Sequence, residues 1–179
     1  TLDCNFSCWY CYEEKCKGAV MKEVVLSSVK KLLAKLGIRY KHIHVSFFGG
    51  EPLLCFQNVI VPIYESLEII RKEHNCDYST SFTTNGGVIS NRILSYLETV
   101  KVKNMQITID GHRRFHDKTR YFVNQKGSYD IIMKNIVKLL KRNISVTLRV
   151  NYTPENIHSI QDVTNDIIKI IPKDLRSLL

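Results

Sequence analysis

Two hydrophobic periods alternate along the chain. Runs rich in Val, Ile, Thr, Phe and Tyr occupy residues 42–48, 78–84, 103–109 and 144–151, and each ends near turn-forming residues. That pattern predicts four short strands. Between and around them, apolar residues recur every three or four positions over 21–36, 56–74, 90–101, 128–142 and 155–171, which predicts helices. In 128–142 the apolar set is Ile131, Ile132, Ile136, Val137, Leu139 and Leu140. Ser90 stands where it can cap the third helix, and Pro154–Glu155 or Asn156 where the last begins. Strand–helix alternation of this kind predicts an α/β fold with a parallel sheet and right-handed crossovers.

No repeat, low-complexity tract or linker interrupts the pattern, and 179 residues are one domain's worth. The pattern opens three residues before Cys4 and closes near Ile171-Pro172, where another strand is expected, so the chain reads as a piece of a longer unit. At 44% hydrophobic and 24% charged, the composition is that of an ordinary globular protein. No stretch approaches the run of about 18 apolar residues that a membrane helix needs, and no apolar leader is visible. The expectation is a cytoplasmic protein with no membrane partner.

The net charge of +9 raises the question of nucleic acid. The basic residues, however, are spread along amphipathic segments (Lys22, Lys30, Lys31, Lys35, then Lys134, Lys138, Lys141, Arg142) and form no long run. Solvated helix faces account for them better, so no nucleic-acid partner is expected. An acidic substrate segment remains compatible. Six cysteines without secretory context argue against disulfides and for metal or redox chemistry.

Three of those cysteines fall within eight residues. Thr1–Glu14 reads TLDCNFSCWYCYEE, placing Cys4, Cys8 and Cys11 in a C-x3-C-x2-C pattern. A four-iron, four-sulfur cluster takes four ligands, usually all thiolates, so three clustered thiolates leave one iron free for an exogenous chelator. The spacing is too compressed for a regular helix to aim all three sulfurs at one point, so a loop is expected. Zinc is the competing reading, with Cys16 or a histidine as fourth ligand, but no second cysteine knuckle is present. Cys16, Cys55 and Cys76 read as packing residues or incidental thiols.

With Tyr10 at the aromatic position, the pattern resembles the C-x3-C-x-aromatic-C hallmark of the radical S-adenosylmethionine (SAM) superfamily. The resemblance implies that Cys4, Cys8 and Cys11 ligate a 4Fe-4S cluster and that SAM chelates the fourth iron through its amino and carboxylate groups. It further implies reductive cleavage of SAM to methionine and a 5′-deoxyadenosyl radical, with Tyr10 beside the adenine. The implied fold is a partial, open (β/α)6 barrel lacking most of the first strand and the sixth.

Further motifs follow in the family's order. Ser46–Leu53 reads SFFGGEPL. Two glycines at a strand end let backbone approach a ligand, and a proline stops the strand. Gly49, Gly50, Glu51 and Pro52 match the family's GGEP motif, which holds the SAM ammonium group. Thr83-Thr84-Asn85-Gly86 ends the next strand, either as a plain Asn-Gly turn or, by resemblance to radical SAM peptide-modifying enzymes, with Asn85 facing the cofactor. Thr108-Ile109-Asp110-Gly111 with HRRFHDKTR resembles the S-I/L-D-G…H-D-x-x-R segment of anaerobic sulfatase-maturating enzymes. There Thr108 is implied to meet the SAM ribose or carboxylate and Arg120 to pair with the carboxylate. Without that resemblance, Asp110-Gly111 is a turn and 112–120 a charged loop.

Arg149 and Asn151 are minor candidates at the last strand end. No histidine is assigned to catalysis, since His42, His44, His74, His112, His116 and His158 show no metal spacing.

The resemblance is closest to sulfatase-maturating and SPASM-type peptide maturases. It implies a truncated core domain over 1–179, an auxiliary-cluster domain lying outside this chain, a peptide or protein substrate, and an external electron donor such as ferredoxin or flavodoxin. The alternative is a degenerate relative, a zinc- or cluster-bearing binding module without radical chemistry.

Overall fold

The structure, a computed structural model, describes residues 1–179. Its strands are β1 (His42–Phe47), β2 (Asp77–Thr84), β3 (Val102–Ile109) and β4 (Val146–Val150), all parallel and in the order β1-β2-β3-β4. The helices are α1 (Glu23–Arg39), α2 (Val61–His74), α3 (Asn91–Leu97), α4 (Arg113–Thr119), α5 (Tyr129–Lys141) and α6 (Ile160–Ile170). This is the expected partial barrel. Because the strands are parallel, the segments after Phe47, Thr84, Ile109 and Val150 gather on one rim, where α/β proteins bind ligands.

The two faces of the sheet differ. Ile43 and Phe47 of β1, Tyr78 and Phe82 of β2, Met105 and Ile107 of β3 and Val146 of β4 are buried beneath the helices. Phe47 stacks on Phe82 at a centroid distance of 4.7 Å, and Tyr64 of α2 lies against Phe47. From the helices, Leu26, Leu67, Leu94, Ile132 and Ile136 complete the core. The other face carries His42, His44 and Ser46 beside Ser79 and Ser81, joined by hydrogen bonds such as His44 Nδ1 to Ser79 Oγ at 2.9 Å and His44 Nε2 to Ser81 Oγ at 3.0 Å. Period-two alternation thus separates an apolar side from a polar side within each strand.

Two departures from the sequence pattern have physical causes. Residues 113–119 form α4 where the sequence reads as a charged loop. Its one buried side chain is His116, so it carries no apolar stripe to reveal it. The second is the expected helix over 56–74, which is preceded by a 3-10 turn (Pro52–Cys55) and enters α2 through a π turn (Phe56–Ile60). Together these make one helical run, Pro52–His74, whose length and mean hydropathy of 1.4 would suit a membrane span, contrary to the expectation that no stretch comes close. With 61% of its apolar window buried inside the protein, it is placed as a core helix.

Candidate active site at the strand carboxyl ends

The cysteine triplet lies on an irregular loop after Asp3. Phe6, wholly buried, anchors it. Its ring packs edge-on against Phe122 at 4.7 Å, and the flanking backbone bonds Ser7 N to Tyr121 O at 2.8 Å and Val123 N to Asn5 O at 3.0 Å. Lys15 Nζ donates to Phe6 O at 2.9 Å and closes the far side. Cys4 and Cys8 are half-buried and Cys11 is exposed, and all three are free thiols. Burial pushes the Cys4 and Cys8 thiols up from their ordinary value.

All three cysteines line one cavity of about 200 Å³ beyond the strand ends. Tyr10, Gly49, Gly50, Asn85, Thr108 and Arg120 share its wall, as do Lys15, Arg149 and Asn151. No three His, Cys, Asp or Glu side chains are grouped closely enough to share a single ion. A zinc ion requires four donors at about 2.0–2.3 Å, so no preformed mononuclear site exists here. A 4Fe-4S cluster asks for something else, because each thiolate binds its own iron. Three cysteines spaced around a cavity meet that requirement.

Glu51 and Pro52 do not line the cavity. Both side chains are buried behind it. The Glu51 carboxylate accepts from Leu53 N at 3.0 Å, Thr84 Oγ1 at 2.8 Å and Asn85 N at 2.7 Å, which ties the turn after β1 to the end of β2. Burial pushes its carboxyl up from the usual range, while those donors oppose the shift. The glycines admit a neighbour other than a ligand. Gly50 N donates to Thr1 O and Glu51 N to Asp3 O, both at 2.8 Å. Gly49 sits at φ 136, and a Cβ there would stand 2.6 Å from Thr1 O. At Gly50 a Cβ would overlap Asp3 O. Close backbone approach is therefore used first by the chain's own opening segment, with the cavity on the remaining side.

Opposite the glycines lies a polar network. Tyr10 OH donates to Asp110 Oδ2 at 2.7 Å and accepts from Arg120 Nη1 at 2.7 Å. Asn151 Nδ2 donates to Asp110 Oδ1 at 3.0 Å. Burial raises the Tyr10 hydroxyl to about 12 and pushes Asp110 up from the usual carboxylate range. Arg120 Nε is buried with no partner. A buried, unpartnered guanidinium N–H beside a cavity fits a ligand carboxylate, the group expected of SAM. Across Asn151 and Tyr10 a second cavity of about 410 Å³ opens, walled by Trp9, Phe115 and Asn156.

Asp110 is the residue that sequence reasoning passed over as a turn. Its position in Thr108-Ile109-Asp110-Gly111 was the available signal. His116 is structural: its Nδ1 accepts from Asp110 N at 3.1 Å and its Nε2 donates to Ser128 Oγ at 2.8 Å. Ser128 Oγ in turn donates to Arg120 O at 2.5 Å.

A parallel α/β sheet with a thiol-lined cavity at its strand ends defines a partial barrel built for a cofactor. The Radical SAM superfamily model matches residues 1–167, and the chain belongs to that superfamily. The cofactors of that family are a 4Fe-4S cluster and SAM. The cysteine-type anaerobic sulfatase-maturating enzyme of Clostridium novyi (strain NT) is 30% identical over 150 residues, covering 78% of this chain and 38% of that protein. The GTP 3′,8-cyclase of Aliarcobacter butzleri (strain RM4018) is 27% identical over 169 residues, covering 91% and 47% respectively. In fold, native anSMEcpe with bound AdoMet and Kp18Cys peptide superposes with a TM-score of 0.77 at 20% identity, over 98% of this chain and 47% of that one. The chain spans less than half the length of these relatives.

Proposed function

We propose that the chain is the SAM- and cluster-binding core of a radical enzyme acting on a peptide or protein. The observation that carries this is the convergence on one cavity of Cys4, Cys8 and Cys11 with the unpartnered, buried Arg120 Nε. When bound, the cluster and SAM supply a 5′-deoxyadenosyl radical that abstracts hydrogen from substrate, with an external donor such as ferredoxin or flavodoxin providing the electron. The chain's own residues do the holding: three thiolates ligate, Arg120 takes a carboxylate, Tyr10 walls the cavity, and Phe6 keeps the loop seated. A peptide substrate is supported by the likeness to the sulfatase-maturating enzyme. A reducing cytoplasm is the compartment that suits six free thiols. A small-molecule substrate is the second reading, favoured by the likeness to the GTP 3′,8-cyclase across most of the chain.

Anaerobic reconstitution with iron, sulfide and zinc analysis tests the proposal. Cys8→Ala is expected to lose the cluster, whereas Cys55→Ala and Cys76→Ala retain it. Full iron loading of Cys8→Ala, or zinc in place of iron and sulfide, overturns the assignment. In the same preparations Arg120→Ala should keep its iron and bind SAM about ten- to a hundredfold more weakly, the worth of a charge-assisted hydrogen bond. Unchanged SAM affinity would remove Arg120 from the site.

A further inference from the structure

The Asn85 side chain sits at the end of β2 and is 5% exposed. Its amide is fully engaged within the protein. Nδ2 donates to Cys4 Sγ at 3.5 Å and to Asn5 Oδ1 at 2.8 Å, and Oδ1 accepts from Gly87 N at 2.8 Å. Its backbone N–H is held by the buried Glu51 carboxylate. Cys4 Sγ receives a second donor, Phe6 N, at 3.4 Å. No amide hydrogen of Asn85 is left over for a ligand in the cavity it borders.

We propose that Asn85 is a positioning residue for the cluster rather than a contact to SAM. It holds the Cys4 sulfur in place and raises the cluster's reduction potential by donating to that sulfur. The inference rests on the cluster reading of the three cysteines. The physics is that of any hydrogen bond to a ligating thiolate. The donor withdraws charge from sulfur, so the more negative, one-electron-reduced cluster gains more from it than the oxidised one, and the potential rises. Glu51 extends the arrangement. By fixing the Asn85 backbone and the Thr84 hydroxyl, it connects the Gly-Gly turn to the first cysteine through a single side chain.

Asn85→Asp keeps an acceptor for Gly87 N and removes both donors, but its added carboxylate charge lowers the potential by itself. Asn85→Ser, neutral and too short to reach Cys4 Sγ, is therefore the variant whose potential decides. The measurement is iron content followed by a dithionite titration monitored by electron paramagnetic resonance, without SAM. At a fixed potential the ratio of reduced to oxidised cluster should fall up to about tenfold relative to wild type, equivalent to about 59 mV for a one-electron couple. Variants that keep the wild-type urea melt but fail to load iron equally support the positioning role. Loaded variants with unchanged potential overturn it, and if they have also lost SAM affinity, Asn85 is a SAM contact instead. Global unfolding of both variants overturns it too, since the residue would then serve the fold alone. A wild-type chain that loads no cluster would defeat the proposed function itself, which separates the two failures.

Discussion

Single residues at this site do work that their motif names do not describe. Glu51 belongs to a four-residue run read as a cofactor grip, yet its carboxylate meets three donors of the protein itself. Glu51→Ala strands those donors in a buried space. At about 1–3 kcal/mol for each unsatisfied group, with some relaxation, the chain should lose about 3–5 kcal/mol. Glu51→Gln should lose about 1–3 kcal/mol, since its amide nitrogen faces the Asn85 N–H. Urea denaturation of the metal-free chain measures both. Equal stability of wild type and Glu51→Ala would show that the carboxylate has no fold-linking role. The gathering of Cys4, Cys8 and Cys11 on one cavity, by contrast, was legible from their spacing, because three cysteines within eight residues of one loop are a local feature. Glu51 was not, because its partners Thr84 and Asn85 are more than thirty positions away and only the parallel register of β1 and β2 brings them near.

At the scale of elements, the strands and the long helices follow directly from period two and period 3.6. What escaped was α4, a helix seated by a buried histidine instead of an apolar face. Burial holds the His116 imidazole far below its ordinary value, at about 3, and the Arg120 charge adds to the effect. The hydrogen bonds explain why the neutral ring is needed. Nδ1 must accept from Asp110 N, and a protonated ring would set one donor against another. The folded state therefore takes up this proton only near pH 3, while the unfolded chain takes it up near pH 6.5. Between those values the unfolded state binds more protons, so stability falls as pH drops through that window, by up to about 1.4 kcal/mol per pH unit. His116→Gln should be less stable at neutral pH and should lose that share of the slope. Denaturation midpoints at pH 7.5, 6.0 and 5.0 measure it, and an undiminished slope in His116→Gln would assign the acid sensitivity to another group.

The whole molecule is a sheet with one face committed to folding and one left open. Phe82 and Ser81 are adjacent on β2 and point to opposite sides. Phe82 is 1% exposed and stacks on Phe47, whereas Ser81 belongs to the polar lattice with His44 and Ser46. All-parallel sheets usually bury both faces in apolar contacts. A polar open face is the expected exception when it borders a space reserved for ligands, and here Thr83, Thr108 and Arg149 carry that face up to the thiol-lined cavity. Phe82→Ala should lose about 3–5 kcal/mol, the range for removing a buried aromatic side chain. Ser81→Ala should change stability by no more than about 0.5–1 kcal/mol, because its hydrogen bonds are part-exposed and water replaces them. Urea midpoints of the two metal-free variants give the comparison directly. A loss above about 2 kcal/mol in Ser81→Ala would mean that the polar lattice is a second core, and that this face is organised for stability and not for a ligand.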